Sequence, residues 1–195
     1  MATDYLLLLA ILFVGMYFSV KKNKLTLSGA ITGGVIGCCI FSGVFFTGIA
    51  MIGLFFLLGT LATSWKISSK EQLGAAEKNK GRRTAMQVIA NSGIAGLAGL
   101  LSYFFRDHRP IFQLAVAGAL AAAAADTLSS ELGTVYGNRF YNILSFKPDR
   151  RGENGVVSLE GTIFGIVGSI LIAVVYSVGC GWSGQFAWIV IAGTL

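Results

Sequence analysis

Charged residues are scarce in this chain of 195 residues. Asp, Glu, Lys and Arg make up only 12% of it, whereas 54% is hydrophobic. It has two prolines and one histidine, and its three cysteines lack the spacing of a metal or redox motif. This composition excludes a disordered chain, a soluble globular domain and a nucleic-acid-binding module. The sequence predicts one domain, residues 1–195, that is a bundle of membrane helices.

Apolar runs divide the chain into about seven membrane segments. A helix needs about 20 apolar residues to span a bilayer, and most of the runs approach this length. We therefore predict an all-α polytopic bundle in which a tight turn near Ser42 and Gly43 joins the second and third spans. The last run is the shortest. The predicted spans are 5–20, 25–42, 44–64, 85–105, 111–125, 156–178 and 182–195.

The basic residues indicate the orientation of the bundle. Thirteen of the 15 Lys and Arg residues fall in loops on one side of the predicted bundle, and only Arg106 and Arg109 fall on the other. Because loops rich in Lys and Arg stay in the cytoplasm, we expect an outer N-terminus and a cytoplasmic face that carries the polar loops. No signal or transit peptide is recognised, so we expect a prokaryotic cell membrane.

Glycine is abundant, with 26 residues, and part of it is periodic. Gly29, Gly33 and Gly37 recur every four residues, as do Gly161 and Gly165. Small residues at this spacing let helix backbones approach closely in a membrane, where lipid gives no hydrophobic drive for association. The pattern favours helix packing over a pore.

The first of three polar clusters opens the fourth span. Lys80, Arg82 and Arg83 precede the span, and Gln87 and Asn91 lie within it. Arg83 and the two amides are four residues apart, so they form one helical stripe that must face protein or water. Phosphate binding is the functional interpretation. Topology signalling by the basic residues and hydrogen bonding between helices by the amides are the structural alternatives.

The second polar cluster ends the fifth span with two carboxylates and several hydroxyls. Placing the carboxylates of Asp126 and Glu131 at the mouth of a span costs free energy, so such residues are usually paired or functional. Asp126 shares a helix face with Ser129 and Ser130, but Glu131 shares another with Thr127, so both acids reach one ion only if the helix bends or ends there. Carboxylates and hydroxyls suit Mg²⁺ with a substrate phosphate. The structural alternative is an ion pair with Arg83, Arg139 or Arg151.

The third polar cluster is the glycine-rich loop 150–162, which leads into the sixth span. Glycines allow backbone N–H groups to approach an anion, and the start of a helix adds the positive end of its dipole. The loop has neither a Walker A nor a G-x-G-x-x-G pattern, and a glycine turn with a serine cap is the plain alternative. The candidate phosphate-binding residues are Asn154, Gly155, Ser158, Glu160 and Thr162.

All three clusters fall at the predicted cytoplasmic ends of spans. Together they supply carboxylates for a metal, cations, amides and hydroxyls, which is the set that phosphoryl transfer needs to neutralise and align phosphate groups. The sequence therefore predicts an active site for phosphate chemistry on that face.

Parts of these clusters resemble the phytyl phosphate kinase family, also described as the transmembrane protein 19 family. The matching motifs are Gln-Val-Ile-Ala-Asn at 87–91, Asp-Thr at 126–127 with Ser-Ser-Glu-Leu-Gly at 129–133, Tyr-Gly at 136–137, and Gly-Val-Val-Ser-Leu-Glu-Gly-Thr at 155–162. The loop at 146–151 carries more positive charge than the proline-rich entry typical of the family.

The resemblance implies a polytopic membrane enzyme that transfers a phosphoryl group from a nucleoside triphosphate to an isoprenyl monophosphate. Phytyl, farnesyl and geranylgeranyl phosphates are the expected acceptors, and the product is the diphosphate. A more distant similarity to dolichol kinases and CDP-diacylglycerol synthases favours CTP over ATP as the donor. The expected partners are the isoprenoid lipid and the bilayer, without nucleic acid. The oligomeric state stays open, a homo-oligomer included.

Expected roles follow from the clusters and the resemblance. The Mg²⁺ ligands are Asp126 and Glu131, and the catalytic set adds Arg83 and Asn91 to these acids. The acceptor is positioned by Gln87, Asn91, Thr127 and Ser130. The nucleotide is bound by Lys80, Arg82 and Arg83 together with the five candidate residues of the glycine-rich loop.

Two other functions are compatible with a membrane bundle. A transporter or flippase for an anionic lipid or small solute also uses glycine-rich spans and buried carboxylates, but it needs a site near the midplane. The outer half of this chain has hardly any polar residue at depth. A membrane scaffold leaves the carboxylates and the glycine-rich loop unexplained.

Overall fold

The computed structural model describes residues 2–72, 81–153 and 155–194. Five of the described helices (α1, α2, α4, α5 and α6) are long and apolar enough to cross a membrane, which confirms the predicted class of an all-α membrane bundle. A short 3₁₀ helix, Arg106–His108, precedes α5. The elements are α1 (Ala2–Lys21), α2 (Leu27–Ser64), α3 (Ile67–Gln72), α4 (Ala85–Phe104), α5 (Arg109–Tyr136), β1 (Phe140–Asn142), β2 (Val156–Ser158), α6 (Leu159–Cys180) and α7 (Gln185–Thr194).

Helix α2 folds back on itself. A straight helix of its 38 residues would be about 57 Å long. Yet Lys24, which precedes the helix, donates a hydrogen bond from Nζ to Oγ of Ser64, its last residue, at 2.8 Å. The reversal occurs at Phe45, where φ is 52° and ψ is −144°. The two arms of α2, residues 27–44 and 46–64, thus correspond to the two predicted spans, and the turn lies just after its predicted position.

Polar contacts distinguish the two ends of the bundle. At one end the Gly43 carbonyl accepts hydrogen bonds from the side chains of Arg109 and Gln113, at 3.2 and 2.8 Å. At the other end the backbone N–H of Arg83 donates to the Lys24 carbonyl at 3.0 Å. Arg109 is therefore separated from Lys24 and Arg83 by the length of the bundle, in agreement with the alternation of charged loops. We call the end that holds Lys24 and Arg83 the basic end.

Helix α5 lies at the centre and packs against α2, α4, α6 and α7. Its contact with α6 runs through small residues. A Cβ added at Gly161 would lie 2.7 Å from the Ser129 carbonyl oxygen, and one at Gly165 would lie 3.2 Å from the Ala125 oxygen. The backbones of α5 and α6 thus touch, which confirms the packing role predicted for these two glycines.

The predicted glycine stripe on the first arm of α2 divides into two kinds of position. A Cβ at Gly29 would lie 2.8 Å from the Arg83 carbonyl oxygen, and one at Gly37 would lie 2.9 Å from Leu12 Cδ2. These two glycines serve close packing, as predicted. Gly33 differs, because the nearest atom to a Cβ there is Val88 Cγ1 at 3.9 Å.

Two helices differ from the predicted spans in length. Helix α5 continues to Tyr136, well past the predicted end at residue 125. The hydroxyls of Ser129 and Thr134 bond to carbonyls of the preceding helical turn, which lets these polar residues stay in the helix. Helix α7 occupies the last predicted span but has ten residues, fewer than the roughly 20 that a span requires.

The crossing of α4 over α2 can be tested at Gly99. A Cβ there would lie 2.5 Å from the Cys39 carbonyl oxygen and 2.7 Å from Ile40 Cα. Since these are backbone atoms, Gly99→Ala must push the helices apart, and we predict a loss of about 1–3 kcal/mol in the free energy of unfolding. Thermal unfolding in detergent measures the loss.

Gly118→Ala is the matched control, because no atom lies within 4 Å of a Cβ at Gly118. It should be neutral or stabilising by up to about 1 kcal/mol through helix propensity. Equal unfolding temperatures for the two variants would contradict close packing of α2 and α4 at Gly99.

Candidate functional site

Two cavities adjoin along the last turns of α5 at the basic end. The smaller, of about 200 Å³, is named the amide cavity, and the larger, of about 580 Å³, the loop cavity. Asp126, Ser130 and Glu131 line both of them. Helix α5 is continuous here, and both acids line the same two cavities. The second polar cluster therefore forms a partition with a cavity on each side.

The amide cavity joins the first and second polar clusters. Its other walls come from the end of α2, through Thr63, and from the start of α4, through Arg83, Gln87 and Asn91. Thr127 of α5 also lines it. The sequence-predicted acceptor residues are thus all on the surface of one small polar cavity.

Gln87 has a structural task at the start of α4. Its side-chain oxygen accepts a hydrogen bond from the Thr84 backbone N–H at 2.9 Å, and its own N–H donates to Thr84 Oγ1 at 3.5 Å. This reciprocal pair is a capping box, which satisfies backbone donors that a helix start leaves open. Gln87 therefore fixes the helix end that presents the Asn91 side chain.

The Arg83 guanidinium is buried beside the amide cavity. Only 8% of the residue is exposed, and its guanidinium lies over the Phe55 ring with 5.5 Å between Cζ and the ring centroid. A Cβ at Gly59 would overlap this guanidinium, so that glycine makes room for it. Electrostatic interactions are stronger in such surroundings than in water. Arg82 differs, since its Nε donates to the Leu25 carbonyl and it lines neither cavity.

Both carboxylate oxygens of Glu131 are engaged. Oε1 accepts a hydrogen bond from Thr63 Oγ1 at 2.9 Å, and Oε2 forms an ion pair with Lys70 Nζ at 2.5 Å. The Lys70 side chain is 3% exposed, and its Nζ also donates to the Ala62 carbonyl at 2.7 Å. The described partner of Glu131 is therefore a lysine of α3 and none of the three arginines named from the sequence. Lys70 was missed because its spacing does not distinguish it from the other basic residues of that stretch.

Asp126 contrasts with Glu131. Its side chain is exposed into the two cavities, and no residue in the described ranges donates a hydrogen bond or an ion pair to its carboxylate. The described residues contain no group of three His, Cys, Asp or Glu that could hold a metal alone. Mg²⁺ typically uses one or two carboxylates and completes its shell with water and substrate phosphate. Asp126, with the exposed Ser130 hydroxyl nearby, fits that use.

The loop cavity joins the second and third polar clusters. Strands β1 and β2 form a small antiparallel hairpin that the sequence did not predict, and α6 begins directly after it. Ser158 is buried, and its Oγ accepts the Gly161 N–H at 3.1 Å, so this serine caps the start of α6. Gly155 and Thr162 line the cavity together with Ser158. The start of α6 and the glycine-rich loop thus face Asp126 across it.

The remaining predicted site residues lie elsewhere. The Glu160 carboxylate accepts a hydrogen bond from Asn138 Nδ2 at 2.7 Å, and Glu160 lines neither cavity. Lys80 and Asn154 lie outside the described residues. The predictions made for these two stay predictions.

Charged residues of the loop stabilise its own fold. Arg151 Nη2 donates to the Gly137 carbonyl at 2.6 Å, and its guanidinium lies over the Phe140 ring. Arg151 thus ties the loop to the end of α5. Hydrogen bonds from the Arg150 backbone N–H and, to a smaller extent, from the Asn142 side chain hold the pKa of the Asp149 carboxyl below its usual range.

Comparison with known proteins places these residues in a family. The family model described as integral membrane protein DUF92 matches residues 10–195. The chain belongs to the DUF92 family of integral membrane proteins. Among curated relatives, Protein VTE6, chloroplastic, of Arabidopsis thaliana is 37% identical over 136 residues, which is 68% of this chain and 40% of VTE6. This similarity confirms the family resemblance predicted from the motifs.

Other relatives extend the family to cyanobacteria. An uncharacterized membrane protein of Synechocystis is 30% identical over 147 residues, which is 74% of this chain and 57% of that protein. Protein PGR of Arabidopsis thaliana is 31% identical over 157 residues, 74% of this chain and 54% of PGR. The chain spans about half the length of the curated relatives it matches. No solved structure matches it significantly.

The ion pair of Lys70 and Glu131 can be tested by a double-mutant cycle. We predict that Lys70→Met destabilises the protein by about 3 kcal/mol, because it leaves the Glu131 carboxylate partly buried and uncompensated. Glu131→Gln on that background should restore a large part of the loss, since it removes the orphaned charge. Thermal unfolding of both single variants and the double variant in detergent gives the coupling. Additive effects would show that the two side chains do not interact.

Proposed function

We propose that the protein is a membrane-embedded kinase. It transfers the terminal phosphoryl group of a nucleoside triphosphate, CTP or ATP, to an isoprenyl monophosphate such as phytyl, farnesyl or geranylgeranyl phosphate. The product is the isoprenyl diphosphate. The observation that carries this proposal is the pair of polar cavities that adjoin at Asp126.

The two cavities suit two phosphate-bearing substrates that must meet in line. The amide cavity offers the Arg83 guanidinium, the Asn91 amide and the Thr127 hydroxyl to the acceptor phosphate. The loop cavity is larger and is lined by glycines and by the first turn of α6, where backbone N–H groups and the helix dipole favour anions. We assign the nucleotide phosphates to the loop cavity. In this arrangement Asp126 and Ser130 lie between donor and acceptor.

The transfer requires little covalent chemistry from the protein. An oxygen of the acceptor phosphate attacks the γ-phosphorus, and the bond from that phosphorus to the β–γ bridging oxygen breaks. The nucleoside diphosphate leaves with the bond's electron pair, and the isoprenyl diphosphate forms. A phosphate monoester is largely dianionic at neutral pH, so no general base has to remove a proton from the attacking oxygen. The chain's contribution is alignment and charge stabilisation.

Asp126 and the Ser130 hydroxyl would hold Mg²⁺, which neutralises charge on the transferring phosphoryl group. Glu131 was also expected to bind the metal, but Lys70 and Thr63 already engage both of its oxygens. We propose that Glu131 keeps this ion pair and that it positions α3 against the site. Arg83 then provides positive charge on the acceptor side.

Two further observations support the kinase. The chain is 37% identical to VTE6 over 68% of its length. The motifs through which it resembles the phytyl phosphate kinase family supply most of the residues that line the two cavities. Both polar cavities lie at helix ends, since α2 ends at Ser64, α4 begins at Ala85 and α6 begins at Leu159. A transporter needs its site near the midplane of the membrane, so the position of the cavities favours transfer at the membrane surface.

The direct test supplies purified protein in detergent with Mg²⁺, labelled CTP or ATP, and phytyl, farnesyl or geranylgeranyl monophosphate. We expect labelled isoprenyl diphosphate with at least one donor and acceptor pair. Absence of product with every pair would remove the kinase proposal. Replacing Mg²⁺ with EDTA should abolish turnover, because the phosphate charges are then uncompensated.

Asp126→Asn tests the metal site. We predict a loss in kcat of at least about 10²-fold with an unchanged unfolding temperature, because the carboxylate is exposed and stabilises no described partner. Asp107→Asn is the control, since Asp107 is an exposed acid beside Arg109, at the other end of the bundle. An active Asp126→Asn variant would remove Asp126 from metal binding.

A further inference from the structure

We propose that the isoprenoid tail of the acceptor lipid lies in an apolar cavity between α1, the two arms of α2 and the start of α4. This proposal deepens the proposed function and rests on it, because it takes a lipid monophosphate as the ligand of the amide cavity. The tail cavity has a volume of about 220 Å³ and is lined mainly by apolar side chains and glycines.

The tail cavity and the amide cavity share two residues. Arg83 and Asn91 line both of them. One side of this shared wall is polar and contains Asp126 and Thr127, and the other side is apolar and contains Phe55 and Ile52. A lipid monophosphate has the same division between a charged head and an apolar chain. A phosphate bound to Arg83 and Asn91 would therefore direct its chain into the tail cavity.

Five glycines line this cavity, and three of them have room for a Cβ. These three are Gly15 on α1, Gly33 on the first arm of α2 and Gly53 on the second arm. A Cβ at Gly15 or Gly53 would meet no atom within 4 Å, and one at Gly33 would meet only Val88 at 3.9 Å. Close packing therefore does not require glycine at these positions, whereas at Gly34 and Gly37 a Cβ would lie within 3 Å of the Met16 and Leu12 side chains of α1. Three separate helical segments thus present small residues to one unfilled space.

A second apolar groove competes for the tail. It has a volume of about 380 Å³ and runs between α2, α5 and α6, with Leu58, Leu128 and Phe164 among its lining residues. None of the described residues that line it also lines the amide cavity or the loop cavity. A chain in this groove would not lead to the phosphate-binding side chains. The two shared lining residues, Arg83 and Asn91, therefore favour the cavity beside α1.

The position of α1 explains how a lipid would enter. Most residues of α1 are exposed, and this helix packs chiefly against α2. The tail cavity is therefore separated from the bilayer by one peripheral helix. Its volume is below the roughly 300–1,000 Å³ typical of whole-ligand pockets, so it would hold the isoprene units nearest the phosphate while the rest of the chain passes beside α1 into lipid. The isoprenoid chain leaves lipid for a cavity that is equally apolar, so the transfer itself provides no hydrophobic drive. The fit of the isoprenoid chain to the shape of the cavity therefore determines which lipids bind.

Filling the cavity tests the proposal kinetically. Gly33→Leu and Gly53→Leu add bulk where a side chain has room, so the fold should persist. We expect at least a tenfold rise in KM for geranylgeranyl monophosphate. The KM for the nucleotide, which we assign to the loop cavity, should not change.

Gly118→Leu is the matched control for both variants. Gly118 also has open space at Cβ, but it lines neither the two polar cavities, nor the tail cavity, nor the second apolar groove. Its KM for geranylgeranyl monophosphate should therefore stay at the value of the unsubstituted protein. Equal KM values for the three variants would overturn the tail site.

Photo-crosslinking separates the tail site from the kinase activity. Geranylgeranyl monophosphate with a diazirine on its second isoprene unit should label peptides of α1 and α2 around Leu12, Met16 and Ile52. Gly33→Leu should abolish the label, and Gly118→Leu should retain it. Labelling along Leu58 and Phe164 with normal turnover would overturn the tail site and leave the kinase intact. Labelling of the cavity without any turnover would support the lipid site and remove the kinase, and absence of specific labelling would overturn the tail site.

Discussion

Direct contact between helix backbones is the constraint on which this bundle depends. Lipid removes the hydrophobic drive that would hold helices together in water, so close packing has to replace it. Helix α5 meets this requirement through Ser129 and Ala125, whose carbonyls lie against Gly161 and Gly165 of α6. Gly99 brings α4 equally close to α2. Because α5 is held on several sides, its polar last turns have a fixed place between two cavities.

Charge compensation is the second requirement, and it is met unequally by the two acids of α5. Glu131 is partly buried and has Lys70 and Thr63 as partners, which is the usual condition for a carboxylate away from water. Asp126 has no such partner in the described part of the chain, and exposure to the cavities keeps its charge solvated. Glu131 therefore stabilises the contact of α5 with the end of α2 and with α3, whereas the Asp126 carboxylate is left for a ligand. This difference underlies the separate roles that we propose for them.

Much of the architecture could be predicted from the sequence because of one rule: a helical segment that spans the lipid must be apolar and about 20 residues long. The long apolar runs, the reversal within α2 and the separation of Arg109 from Lys24 and Arg83 all follow from that rule. The meeting of the three polar clusters could also be anticipated, since each falls at the same end of a span. Lys70 could not, because its importance comes from a contact across 61 residues of sequence. The β1–β2 hairpin was missed for a similar reason, as its short strands pair across a loop without a clear alternating pattern.

The abundance of glycine therefore has two physical origins that sequence spacing alone does not separate. At Gly99 and Gly161 a Cβ would lie within 2.7 Å of backbone atoms of a neighbouring helix, so glycine is needed for packing. At Gly33 and Gly53 a Cβ would meet no atom closer than 3.9 Å, so glycine there has no packing role and leaves volume in the tail cavity, which Arg83 also lines. Gly33 and Gly37 belong to one periodic stripe and both line the tail cavity, but only at Gly37 would a Cβ come within 3 Å of another helix, at the Leu12 side chain. Volume left open beside a buried guanidinium is better explained by an occupant with a charged head and an apolar chain than by the requirements of the fold.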